Sequence, residues 1–137
     1  MSDGADSGDI EPGLFLGPIH TLLRDVGLPD CEVLIEESVQ AWAAARGHHV
    51  QNPLLAAMAV NVHGVPTIIV RRRITPDMQT SITNRIELGG FEVDQLQNPS
   101  NFLEHLVLHE AAHLLLHDPS EEDCDHWAFE HLAGRLG

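Results

Sequence analysis

Residues 98–117 read Asn-Pro-Ser-Asn-Phe-Leu-Glu-His-Leu-Val-Leu-His-Glu-Ala-Ala-His-Leu-Leu-Leu-His. Asn is a preferred helix cap, and Pro suits the first helical position, where its missing N–H is no loss. Phe102, Leu103, Leu106, Val107, Leu108, Leu114, Leu115 and Leu116 then cover most of the helical circumference. A helix apolar on nearly all sides belongs inside a domain, so a buried central helix to about His117 is predicted. Asp118-Pro119-Ser120 ends it and caps a further helix, about Glu121 to Arg135.

Upstream of the central helix the pattern changes. Val62-His63-Gly64-Val65 reads as a tight turn, and Val65-Pro66-Thr67-Ile68-Ile69-Val70 is rich in β-branched residues, so a hairpin is expected. Pro66 should lie at a strand start or edge. Leu55 to Val62 is ambiguous between strand and helix. Thr80 to Leu88 is a further strand candidate, closed by Gly89-Gly90. Near the start, Ile19, Leu22, Leu23 and Val26 have helical spacing, and Asp30 can cap a second helix from about Cys31 to Arg46. The fold class expected is α+β: N-terminal helices, a small three-stranded antiparallel sheet, the buried helix and a C-terminal helix. Residues 1–12 are expected to form a tail and 13–137 a single domain.

The chain has 137 residues, 43% of them apolar, which suits one modest globular core. It carries 21 acids against seven Arg, for a formal charge of −14, and so repels nucleic acid and anionic membranes over most of its surface. No apolar run reaches membrane-spanning length, and the Asp-, Gly- and Ser-rich start lacks the features of a secretory signal. A cytoplasmic location is expected. Cys31 and Cys124 do not make a disulfide framework. Arg71-Arg72-Arg73 is the one basic cluster, read as a solvated strand end with alternate side chains on opposite faces.

Within the central helix lies His109-Glu110-Ala111-Ala112-His113. Residues four apart share a helix face, so His109 and His113 can grip one tetrahedral zinc ion. Glu110 would then face the open zinc position and act as general base while zinc-bound water attacks a carbonyl. Burying two imidazoles and a carboxylate in an apolar helix is costly unless something pairs with them, and a metal does so. A third ligand is expected from the last helix, where Asp123, His126 and Glu130 share a face. Ser120-Glu121-Glu122-Asp123 also has the form of a capping box, an alternative use for Asp123. With no Tyr in the chain, an oxyanion donor would have to be His117, His126, His131 or an Arg.

Residues 109–118, His-Glu-Ala-Ala-His-Leu-Leu-Leu-His-Asp, resemble the metal helix of the ImmA/IrrE family of bacterial and phage zinc peptidases, a minimal gluzincin-like group. The following stretch, Asp123-Cys124-Asp125-His126-Trp127-Ala128-Phe129-Glu130-His131-Leu132, is similar in character to that family's ligand helix at Asp125, Trp127, Ala128 and Leu132. The resemblance implies zinc held by His109, His113 and Asp123, with Glu110 catalytic. It implies a metallopeptidase acting on a protein substrate, such as a helix-turn-helix regulator. The rival expectation is a zinc-stabilised protein-interaction module without turnover.

Overall fold

The computed structural model describes residues 8–136. Its elements follow in the order α1 (Leu16–Asp25), β1 (Glu32–Glu36), α2 (Val39–Ala44), β2 (Ala57–Val62), β3 (Val65–Arg71), α3 (Pro76–Leu88), α4 (Pro99–Leu115) and α5 (Glu121–Leu136). This is the expected α+β class with the expected central helix. Asn98 caps α4, its side chain accepting from the N–H groups of Ser100 and Asn101 at 2.9 and 3.2 Å. From Phe102 to Ala112 every residue of α4 except Glu104 is buried. The helix packs against α5, α1 and the sheet.

The sheet has three strands in the order β1-β3-β2. β2 and β3 form the predicted hairpin, with Val62 opposite Val65. His63 and Gly64 both have positive φ, 51° and 83°, as a two-residue turn that follows strand twist requires. Pro66 stands before the stretch of β3 that pairs with β1, which begins at Thr67, so its missing N–H interrupts no β1 bond. Ile68 and Val70 face the main core with α4, while Ile69 faces Val39 and Trp42 of α2 on the other side.

Two segments depart from the sequence reading, and the sheet is mixed rather than wholly antiparallel. Residues 32–36, expected as the start of a helix from Cys31 to Arg46, form β1, parallel to β3. Val33 and Ile35 are β-branched and pair with Ile68 and Val70, and the helix starts only where Ser38 accepts from Ala41 N–H at 3.0 Å. Conversely, residues 80–88, expected as a strand, lie in α3. Thr75 caps that helix by accepting from Met78 N–H at 3.2 Å, Pro76 stands at its first turn, and Met78, Thr83 and Ile86 form its buried stripe. Of the expected tail, residues 1–7 lie outside the described residues. The packed chain starts before Gly13: Ile10 is buried and exchanges two backbone bonds with Ile74. No helix among the described residues is long and apolar enough to cross a membrane.

Candidate metal centre

Helix α4 carries His105, His109 and His113 at four-residue steps, so the three imidazoles line up towards α5. A connection of five residues, 116–120, folds α5 back against α4. Its first residue, Glu121, meets the histidines. His109 Nε2 lies 3.3 Å from Glu121 Oε1, and His113 Nε2 lies 2.9 Å from Glu121 Oε2. The Glu121 carboxylate thus bridges the two imidazoles, one oxygen to each ring.

Behind this point sits Asp125, one turn along α5 and buried. Its Oδ1 accepts from His109 Nδ1–H at 2.7 Å and from His105 Nε2–H at 3.1 Å, while Arg85 approaches Oδ2 at 3.4 Å. Burial alone would raise the Asp125 pKa, but the two histidines outweigh it and hold the carboxyl below the usual range. The bond to Asp125 keeps a proton on His109 Nδ1 and leaves Nε2 turned to His113 and Glu121. That is how ligating histidines are commonly oriented.

The protonation states follow from the same contacts. For His109, burial lowers the pKa, yet the carboxylates of Asp125 and Glu121 prevail and lift it to about 9. The His109 hydrogen bond holds Glu121 below the usual carboxylate range. His105, more fully enclosed, goes the other way: desolvation lowers its pKa despite Asp125. Glu110 is buried, and desolvation pushes its carboxyl up to about 7.

The donor chemistry suits a divalent metal: His109, His113 and Cys124 form one close group of donors and His105, His109 and Asp125 another, and the Glu121 carboxylate reaches both His109 Nε2 and His113 Nε2. Of the residues singled out in the sequence, His109 and His113 both reach Glu121, and Glu110 lines the cavity beside His109. Asp123 does neither. Its Oδ2 accepts from Ser120 N–H at 3.0 Å, and its own N–H donates to Ser120 Oγ at 3.0 Å, a reciprocal capping box on the exposed side of α5. His126, the other candidate ligand, is exposed and lies 3.6 Å from Glu130. The sequence did hold a signal for Glu121: Cys124, Ala128 and Leu132 mark the apolar face of α5, and Glu121 and Asp125 fall on it.

Cys124 also reaches the centre, its sulfur within 4.8 Å of ligand atoms of His109 and His113. Burial pushes its thiol up to about 12. Beside the histidines opens a cavity of about 500 Å³, walled by α3, α4 and the chain leading into β2, with Glu110 and Glu121 in its lining. Of the donors that the sequence offered for an oxyanion, Arg85 lines this cavity, while His131 donates to Trp127 O at 2.8 Å on α5. Comparison with protein families, with curated proteins and with solved structures gave no match.

Proposed function

We propose that this chain is a zinc-dependent peptidase that hydrolyses an amide bond in a protein substrate. The observation that carries the reading is the contact of Glu121 with both His109 Nε2 and His113 Nε2, with His109, Glu121 and Glu110 lining one cavity. His109, His113 and Glu121 would hold the metal, and Asp125 would fix the His109 ring. Zinc held there supplies a Lewis acid that polarises a carbonyl and acidifies water. Glu110 takes a proton from the attacking water on its carboxylate and delivers it to the departing amine. Arg85, beside Asp125 on the cavity wall, offers positive charge to the developing oxyanion. The resemblance of residues 109–132 to the ImmA/IrrE family supports the same reading and points to a regulatory protein as substrate.

One observation favours the rival, a zinc-stabilised interaction module: the Cys124 sulfur lies near enough to the histidines to act as a fourth protein donor. Four protein donors close a zinc site and leave no corner for substrate. Glu110→Gln separates the two readings. The peptidase reading expects zinc affinity to stay and peptide hydrolysis to fall by about 10²–10⁴-fold. A wild-type, zinc-loaded chain that cleaves nothing in a diverse peptide pool above the rate of the Glu110→Gln variant would sink it.

A further inference from the structure

Helices α4 and α5 each turn two metal-donating side chains towards the other. On α4 these are His109 and His113, four apart; on α5 they are Glu121 and Cys124, three apart. Glu121 contacts both rings through its two oxygens. The Cys124 sulfur reaches the same pair, within 4.8 Å of a ligand atom of each ring.

The chain has two cysteines, and they are held differently. Cys31 is buried, and its Sγ donates to Glu32 O at 3.6 Å. Cys124 is buried completely, and among the described residues its sulfur has no hydrogen-bond partner. A buried thiol can serve as a small apolar residue, and Ala128 and Leu132 further along α5 would suit that use. The other side of Cys124 does not: it meets two imidazoles and lies in the field of Glu121, Glu110, Asp125 and Asp123. Nor is this thiol set up as a nucleophile. Reactive cysteines occupy electropositive, partly exposed places, whereas burial and then those four acids disfavour a free thiolate here. A divalent cation reconciles these facts. It takes thiolate and imidazole together, and its charge offsets the acids around them.

We propose that Cys124 is a protein ligand of the metal centre, joining His109 and His113, and that its thiolate holds the site closed until it lets go. The S–H proton passes to solvent as the sulfur–metal bond forms, and a proton returns to sulfur when that bond breaks. With Glu121 also bound, four protein donors fill a tetrahedral zinc site. Release of Cys124 frees one corner and leaves His109, His113 and Glu121. The closing role rests on the peptidase reading; the ligation rests on the metal centre alone. A thiolate donor also ranks the metals that the centre accepts, with zinc and cobalt ahead of magnesium and calcium.

The test loads the full chain with cobalt(II), a spectroscopic stand-in for zinc, whose filled d shell is silent. The wild-type chain should show an intense near-ultraviolet charge-transfer band from sulfur to cobalt. The band should vanish in Cys124→Ala and persist in Cys31→Ser, which removes the other thiol. Zinc affinity of Cys124→Ala, read by competition with a chelator, should fall at least about tenfold. At saturating zinc, Cys124→Ala should hydrolyse peptides severalfold faster than the wild-type chain, because its site has no thiolate to release. A wild-type chain that takes up cobalt without the band overturns the proposal, whether or not either variant folds. So does a band that Cys124→Ala keeps or Cys31→Ser removes, and a wild-type chain that takes up no cobalt overturns it together with the metal centre. A band assigned to Cys124 with no gain in hydrolysis on its removal overturns the closing role. The band with no cleavage by either chain counts against the peptidase reading and leaves the ligation standing, whereas cleavage by a wild-type chain without the band does the reverse.

Discussion

Removing the Glu121 carboxylate should abolish tight zinc binding, whereas removing that of Asp123 should not. The two acids are two residues apart in one acidic run, so their separation is a stringent test of geometry. Glu121 Oε1 and Oε2 lie 3.3 and 2.9 Å from the two Nε2 atoms that would share the metal. Losing an outer partner of a ligating histidine costs about 10–100-fold in affinity, or about 1.4–2.7 kcal/mol. Glu121→Ala would remove one of the three proposed protein ligands and should exceed that range, with more than about 100-fold loss. The metal-free fold should barely change, because the Glu121 side chain is 61% exposed and His109 keeps its bond to Asp125. Asp123→Ala has the opposite profile: zinc affinity within about twofold of the parent, and a stability loss of about 1 kcal/mol from the broken capping box. Competition against a chromogenic chelator measures the first quantity and thermal unfolding of the metal-free chain the second. If Asp123→Ala loses zinc and Glu121→Ala keeps it, the centre described above is wrongly assembled.

Three further outcomes follow from the same contacts. Asp125→Asn should weaken zinc binding by about 10–100-fold while leaving Glu121 in place, since it disturbs the orientation of His109 rather than a ligand; a change under about threefold would refute that role. In the metal-free chain His109 titrates at about 9, above the ordinary 6.5, so its contribution to stability is complete below 6.5 and disappears as pH rises through about 9. Zinc must displace that proton, so binding at about pH 7.5 should release about one proton and tighten with pH up to about 9, read by calorimetry in buffers of different ionisation enthalpy; no release near neutral pH would contradict the protonated state. Asn98→Ala removes the acceptor for two N–H groups at the start of α4 and should cost about 1 kcal/mol, roughly 3–5 °C in melting temperature; an unshifted melt would show that this cap does not hold the helix.

The fold was most legible where independent signals agreed. At α4 a cap, a proline and an all-round apolar helix coincided, and at His63-Gly64 a turn joined β-branched flanks. It was least legible where elements of different type abut. Leu34, Ile35, Val39 and Trp42 have helical spacing, yet they straddle the end of β1 and the start of α2, and the helical rhythm there is an accident of juxtaposition. The Ser38 cap divides them, and a cap outweighs periodicity at such a border. In residues 80–88, Thr80, Ile82, Ile86 and Leu88 alternate as a strand would, but Leu88 is 89% exposed and contributes nothing to any core. Thr75-Pro76, just upstream, starts a helix that carries through the whole stretch.

At the candidate metal centre the shared face of His109 and His113 was legible because their spacing is local to one helix, whereas the acid that meets them depended on the phase of another. Charge cannot rank Glu121, Glu122, Asp123 and Asp125, which stand almost together. Helical rotation can. At about 100° per residue, Cys124, Ala128 and Leu132 centre the buried face of α5 close to the direction of Glu121, and Asp125 lies about 40° from it. Asp123 lies about 160° away, so a carboxylate there cannot turn to α4 without unwinding the first turn. Hydrogen bonding closes the choice. Both partners in the Ser120–Asp123 box are committed to the helix start, and Asp125 is surrounded by donors that make its burial tolerable. Glu121 is the acid on the inward face whose two oxygens meet imidazole nitrogens and nothing that would have to be given up for a metal except a proton.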